Sequence, residues 1–267
     1  MAVIRIEQPD DPRIAGFRDI RERDLTGRQG LFVAEGEVVL NVLTSPQSLC
    51  RPVAILLDRK RVEGLADVLA RVPPETPVYV AEQAVLDSIA GFHLHRGILA
   101  LGEKPVARGL EACLGPLGPE AVVVAACGIG NHDNMGGLFR NAAAFGAGAV
   151  LLDDRCCDPF YRKAIRVSVG AVLRTPMAAG LEALAMVAAL QAAGFTVMAL
   201  TPGASEPLEA APRGGRIAIL LGPEGPGLAP AVIERCRPVG IPMSGGFDSL
   251  NVSVASGIAL HHFTRQA

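Results

Sequence analysis

Short apolar runs separated by polar or glycine-rich stretches recur along this chain, and their lengths predict strands alternating with helices. In the first part, Leu31–Ala34, Val53–Leu57, Pro77–Val80 and Ile98–Leu101 have strand length. Helical spacing fills the intervals near 37–43, 62–69 and 82–89. Ahead of them, Ile14, Phe17 and Ile20 share one helical face, while Arg13, Arg18, Arg21 and Arg23 alternate with acids on the other. The pattern describes a small α/β domain over residues 1–104.

Beyond it the strand runs become almost wholly apolar: Val122–Ala126, Ala149–Leu152, Thr196–Leu200, Ile217–Leu221 and Val239–Met243, with a short strand expected near Val172. Runs without alternation belong to strands covered on both faces, as in a parallel sheet flanked by helices. Helices are expected near 135–145, 160–169 and 181–193, the last closed by Gly194. A Gly- and Pro-rich stretch, 105–119, reads as a linker, which leaves 120–267 as the second domain.

Composition narrows the class. Half of the 267 residues are apolar and 19% are charged, so the chain folds into globular units. The formal net charge of −2 supplies no overall basic surplus for a polyanion, leaving any such contact to local basic faces. Aromatic residues are 4% of the chain, too few for a long track of stacked single-stranded bases. The six cysteines lack metal-site spacing and no secretory leader or membrane-length apolar run is present, which predicts a reduced, cytoplasmic protein without a metal. His93 and His95 lie two apart in a loop, better read as surface histidines than as ligands.

Three loops follow predicted strands, where parallel α/β sheets gather ligands. The first, Cys127-Gly-Ile-Gly-Asn-His-Asp-Asn-Met-Gly-Gly-Leu-Phe-Arg140, begins like a dinucleotide fingerprint, but Asp133 stands where the third glycine belongs. It carries Asn134, which alone would read as a helix cap, and Arg140, set among apolar neighbours and in need of an anion. The second, Leu221-Gly-Pro-Glu-Gly-Pro-Gly-Leu228, holds Glu224 as its one ionisable group. The third, Ile241-Pro-Met-Ser-Gly-Gly-Phe-Asp-Ser-Leu-Asn251, leads into a helix of small residues, with Ser249 and Asn251 at the junction. Glycines of this kind let a ligand approach backbone amides closely.

Together, Asn134-Met-Gly-Gly-Leu-Phe-Arg140, Leu220-Leu-Gly-Pro-Glu-Gly-Pro-Gly227 and Ile241-Pro-Met through Ser249-Leu-Asn-Val-Ser-Val-Ala255 resemble the three motifs of the SpoU/TrmH RNA 2′-O-ribose methyltransferases, in that order. Asp11-Pro-Arg13 and Phe32-Val-Ala-Glu-Gly36 resemble the substrate-binding domain that often precedes them. The resemblance implies a C-terminal trefoil knot of the SPOUT type, which no periodicity reveals and which general topology rules treat as near-absent. It implies S-adenosylmethionine as cofactor, structured RNA (rRNA or tRNA) as substrate, and a homodimer formed through the C-terminal domain.

Carried over by position, the resemblance places Leu221, Gly222, Glu224, Gly227, Ile241, Met243 and Leu250 around the cofactor. It makes Asn134, Arg140, Glu224, Ser249 and Asn251 the catalytic surroundings. A guanidinium with a pKa above about 12 is a poor base. Arg140 is therefore expected to hold a phosphate and stabilise charge developing on the ribose oxygen. Arg13, Arg18, Arg21, Arg23, Arg162, Lys163 and Arg166 are candidate RNA contacts, with an ordinary solvated face as the competing reading for each cluster. Two other functions stay open from residues alone: an inactive RNA- or cofactor-binding protein of the same fold, and a nicotinamide oxidoreductase.

Overall fold

The computed structural model describes residues 3–18, 30–90 and 97–264. Arg21, Arg23, His93 and His95 lie outside them. The chain divides into two compact units, 1–105 with 158–174, and 106–157 with 175–267.

The first unit is built on a mixed sheet of β1 (Val3–Arg5), β2 (Leu31–Glu35), β3 (Arg51–Asp58), β4 (Val78–Ala81) and β5 (Ile98–Glu103), in the order β1-β4-β3-β5-β2. β1, β4 and β3 run parallel, whereas β5 pairs antiparallel with both β3 and β2. Helices α1 (Glu37–Leu43), α2 (Ala66–Leu69) and α3 (Gln83–Ala90) belong to this unit. Its core includes Ile14, Phe17, Leu56, Leu86 and Leu99. Across β2 and β5, Phe32 faces Gly102, and a Cβ on that glycine would meet the ring at 2.2 Å. Pro12–Phe17 is a 3₁₀ turn, not a longer helix, started by Asp11, whose carboxylate accepts the Arg13 N–H. Ile14 and Phe17 still point inward as their spacing predicts.

Two expected boundaries differ. The stretch read as a linker, 105–119, contains helix α4 (Leu110–Leu114), whose Cys113 and Leu114 are buried in the core of the second unit. Its glycines and prolines flank the helix, which is why composition alone suggested a linker. Residues 158–174, expected in the second domain, cluster with the first unit. Phe160 lies 5.4 Å from the Phe32 ring, Lys104 pairs with Asp158, and the Leu49 N–H donates to the Leu173 carbonyl. This segment includes α6 (Arg162–Val167).

In the second unit, β6 (Val122–Ala126), β7 (Val150–Asp153), β8 (Met177–Leu181), β9 (Thr196–Leu200), β10 (Ile217–Leu221) and β11 (Arg237–Val239) form one sheet, in the order β11-β9-β10-β6-β7-β8. Every described pairing in it is parallel. All residues of β6, β7 and β10 are buried, as expected of unalternated apolar runs. Helices α5 (His132–Ala144), α7 (Ala183–Ala192), α8 (Pro230–Ile233) and α9 (Val252–Thr264) complete the unit.

The strand expected near Val172 is instead a 3₁₀ turn, Ala171–Leu173, after Gly170 in the left-handed region at φ 83°. The edge strand comes later, at Met177–Leu181. Its Ala- and Gly-rich sequence has little strand propensity and merges by eye into the following helix. β11 ends at Val239, earlier than predicted, so Ile241 and Met243 are free to form a wall.

Candidate functional site

Strands β11, β9 and β10 are neighbours, and the loops that follow them open around a cleft of about 380 Å³. That volume falls within the roughly 300–1,000 Å³ typical of small-molecule sites. The second loop forms one side. A Cβ on Gly222 would sit 2.5 Å from the Leu228 nitrogen, so only glycine lets the loop close on itself. Gly225 and Gly227 are left-handed at φ 85° and 67°, and nothing lies within 4 Å of where their Cβ atoms would be. Apolar surface comes from Leu200, Leu221, Ile241, Met243 and Val252. All seven residues assigned to cofactor binding by resemblance, Leu221, Gly222, Glu224, Gly227, Ile241, Met243 and Leu250, line this cleft.

The polar end is organised by one carboxamide. Asn251 Nδ2 donates to Asn134 Oδ1 at 2.8 Å and to Glu224 Oε1 at 3.0 Å. Its Oδ1 accepts the N–H groups of Ser253 and Val254, at 3.0 and 3.3 Å, capping the start of α9. Residues from all three loops are thus tied to one side chain whose own orientation is fixed by a helix end. The amide assignment is unambiguous, because the atom facing two backbone donors must be oxygen.

Asn134 is not the cap of its own helix. That role belongs to Asn131, which accepts the Asp133 N–H at 2.8 Å, while Asn134 is buried in the first turn. Helix α5 reaches α9 through small residues: a Cβ on Gly137 would meet Ser253 Oγ at 2.1 Å. Asn141 Nδ2 adds a bond to the Ser253 carbonyl at 2.6 Å. This close packing brings Asn134 and Asn251 together although they are 117 positions apart.

Asp153, which sequence reasoning missed, holds the first loop. Its fully buried carboxylate at the end of β7 accepts the Gly128 N–H at 2.8 Å and pairs with Arg155 Nε at 3.2 Å. Burial pushes the Cys127 and Cys156 thiols beside this loop up to about 12, so neither is a thiolate at neutral pH.

Ser249 lines the cleft, but Arg140 does not join the asparagine network. Six residues after Asn134 on the same helix, Arg140 is rotated by about 120° from it and lies about 9 Å further along. Its apolar neighbours Leu138, Phe139 and Ala142 face the core, while Arg140 is exposed. Among the other basic candidates, Arg13 is forked onto Asp11, with Nη2 to Oδ2 at 2.6 Å, and Arg18 donates to the Asp11 carbonyl. The Arg13 guanidinium holds the Asp11 carboxyl down at about 2. Arg162 lies 3.8 Å from Glu35, and Lys163 and Arg166 are exposed on α6. Sequence reasoning also missed Thr201 and Pro202 in the cleft wall, although Thr201-Pro-Gly203 after an apolar run is itself a turn signal at a strand end.

A parallel sheet with three glycine-rich loops joined through one asparagine defines a ligand-binding α/β domain. Residues 121–261 match the SpoU rRNA Methylase family. An uncharacterized tRNA/rRNA methyltransferase of Mycobacterium bovis is 37% identical over 269 residues, covering 96% of this chain and 90% of the relative. The chain belongs to the SpoU rRNA methylase family. Among solved structures, one described as an RNA 2′-O ribose methyltransferase is 29% identical with a TM-score of 0.76, covering 97% of each chain. The AdoMet-bound rRNA methyltransferase from Sinorhizobium meliloti shares the fold, with a TM-score of 0.78 and 23% identity over 97% of each chain.

Proposed function

We propose that the protein transfers a methyl group from S-adenosylmethionine to a ribose 2′-hydroxyl of structured rRNA or tRNA. The observation that carries this reading is the Asn251 carboxamide bridging Asn134 and Glu224 at the rim of a cleft lined largely by backbone and apolar groups. The cleft suits the cofactor: apolar walls for a purine, open glycine backbone for polar edges, and one carboxylate at the polar end. Leu221, Gly222, Glu224, Gly227, Ile241, Met243 and Leu250 would hold it. When bound, the cofactor supplies an electrophilic methyl on a sulfonium. The family relationship and the RNA 2′-O ribose methyltransferase of like fold support the ribose as acceptor.

Within this reading, Asn134 and Asn251 form a rigid pair that orients the ribose. Alignment of reacting groups contributes roughly 7–11 kcal/mol in favourable cases. Glu224 lines the cleft as its one carboxylate among the described residues, and in this reading it accepts the hydroxyl proton. Ser249 contacts cofactor or substrate from the same rim. Arg140, exposed and apart from the asparagine pair, grips an RNA phosphate. The basic residues of α6 and those near Asp11 add phosphate contacts.

A homodimer through the second unit fits the exposed face of α9, where Val254 and Ile258, one turn apart, are 51% and 39% exposed. The C-terminal trefoil knot remains part of the same proposal, supported by the family and by the all-parallel sheet.

Incubation with methyl-labelled S-adenosylmethionine and RNA from cells lacking the gene tests the activity. Label in RNA is the expected result. Calorimetric binding of the cofactor with no label in RNA would favour an inactive binder, and no cofactor binding would overturn both.

A further inference from the structure

Phe247 stands apart from the other aromatic side chains. The chain has nine Phe, two Tyr and no Trp. Among the described residues, Phe247 is the one aromatic side chain in the set of exposed large hydrophobics, at 71%. Its position is specific. It sits in the third loop between Met243 and Ser249, both of which line the cleft, but it does not line the cleft itself. Ser249 is two residues away, so their Cα atoms are separated by at most about 7 Å.

The backbone carries the ring outward. Gly245 and Gly246 are both left-handed at φ 69°, with nothing within 4 Å of an added Cβ on either. The Phe247 N–H closes a turn onto the Ser244 carbonyl at 3.4 Å. A phenylalanine with most of its surface in water contributes little burial to the fold. Here it offers a flat apolar face beside the polar rim where the reactive ribose would sit. Every nucleobase has a complementary face, and splayed bases of RNA are commonly held on aromatic rings.

We propose that Phe247 is the stacking platform for a base of the RNA substrate, either the methylated nucleotide or its immediate neighbour. The proposal rests on the RNA-methylating function argued above. One ring suffices for this task, which reconciles a nucleotide-holding site with a chain so poor in aromatics. Cofactor contact is the less fitting role, because the cleft has its own apolar walls and Phe247 lies outside them.

The test compares Phe247→Leu and Phe247→Trp with the unmodified full-length protein. Methyl transfer is measured with labelled S-adenosylmethionine and RNA from cells lacking the gene. Stacking predicts that Phe247→Leu loses about tenfold in kcat/KM, carried by the KM for RNA, while cofactor affinity is unchanged. Phe247→Trp keeps transfer and places the chain's sole tryptophan at this position, so its fluorescence falls when RNA is added and stays constant with cofactor alone. Quenching by cofactor alone, or a Phe247→Leu variant with an unaltered KM for RNA, would overturn the proposal. So would a shift from dimer to monomer in Phe247→Leu that accounts for its loss, since that assigns the ring to a second copy. Absence of transfer by the unmodified protein would sink the underlying function together with this role. Transfer by it, with no effect of the substitution, would sink this role alone.

Discussion

Each unit of this molecule opens a cleft at the carboxyl ends of parallel strands, and the two differ in what lines them. In the first unit a cleft of about 500 Å³ lies beyond β1, β4 and β3 and is bordered by Arg5, Glu7, Arg59, Glu63 and Glu82. Arg5 pairs with Glu7 at 3.6 Å and Arg59 with Glu82 at 3.3 Å. Two arginines against three glutamates give no positive field for a polyanion. In the second unit the smaller cleft has a single carboxylate, open glycine backbone and an asparagine network. Volume is therefore a poor guide to the site. The difference lies in polar groups fixed by the fold yet still facing the cleft, against charges that satisfy one another.

The comparison breaks most sharply at Asn251. Asn251→Asp keeps an oxygen to cap α9, so the thermal midpoint should move little. It removes the donors to Asn134 and Glu224 and sets a second carboxylate beside Glu224. Methyl transfer should fall by about a hundredfold or more. An active Asn251→Asp enzyme would show that the bridge is structural only.

Next comes Gly222→Ala. The added methyl would collide with the Leu228 nitrogen and the Gly227 carbonyl carbon, at 2.5 and 2.7 Å. Loop displacement should weaken cofactor binding by about tenfold in calorimetry and cost about 1–3 kcal/mol in denaturant unfolding. Binding unaltered by this change would mean that the loop does not form the pocket.

The smallest effect belongs to the other cleft. Arg59→Ala removes an exposed ion pair, and its stability change should stay below about 1 kcal/mol. Cofactor affinity should not change. A loss of cofactor affinity would move the binding site away from β11, β9 and β10.

The second unit was more legible in the amino-acid pattern than the first. Unalternated runs such as Val122–Ala126 and Ile217–Leu221 carry a strong signal, because burial on both faces demands it. β1 is three residues long and β8 is rich in Ala and Gly, so neither announces itself. At the site, glycine loops after strands located the cleft, and the three motifs named its lining. The bridge through Asn251 depends on how closely α5 and α9 pack, a contact set by Gly137 and Ser253 that periodicity cannot reveal. Asp153 escaped because an acid at a strand end looks like any exposed turn residue until its carboxylate is seen buried on Gly128.

The central claim is that the oxygen methylated is a ribose 2′-hydroxyl, and the chemistry of RNA provides its own readout. Alkali cleaves RNA through attack of the free 2′-oxygen on the adjacent phosphate, so a 2′-O-methylated linkage survives as a dinucleotide. RNA labelled by this protein from methyl-labelled S-adenosylmethionine should, after complete alkaline hydrolysis, release its label in dinucleotides. Label recovered in mononucleotides would place the methyl group on a base and contradict the account.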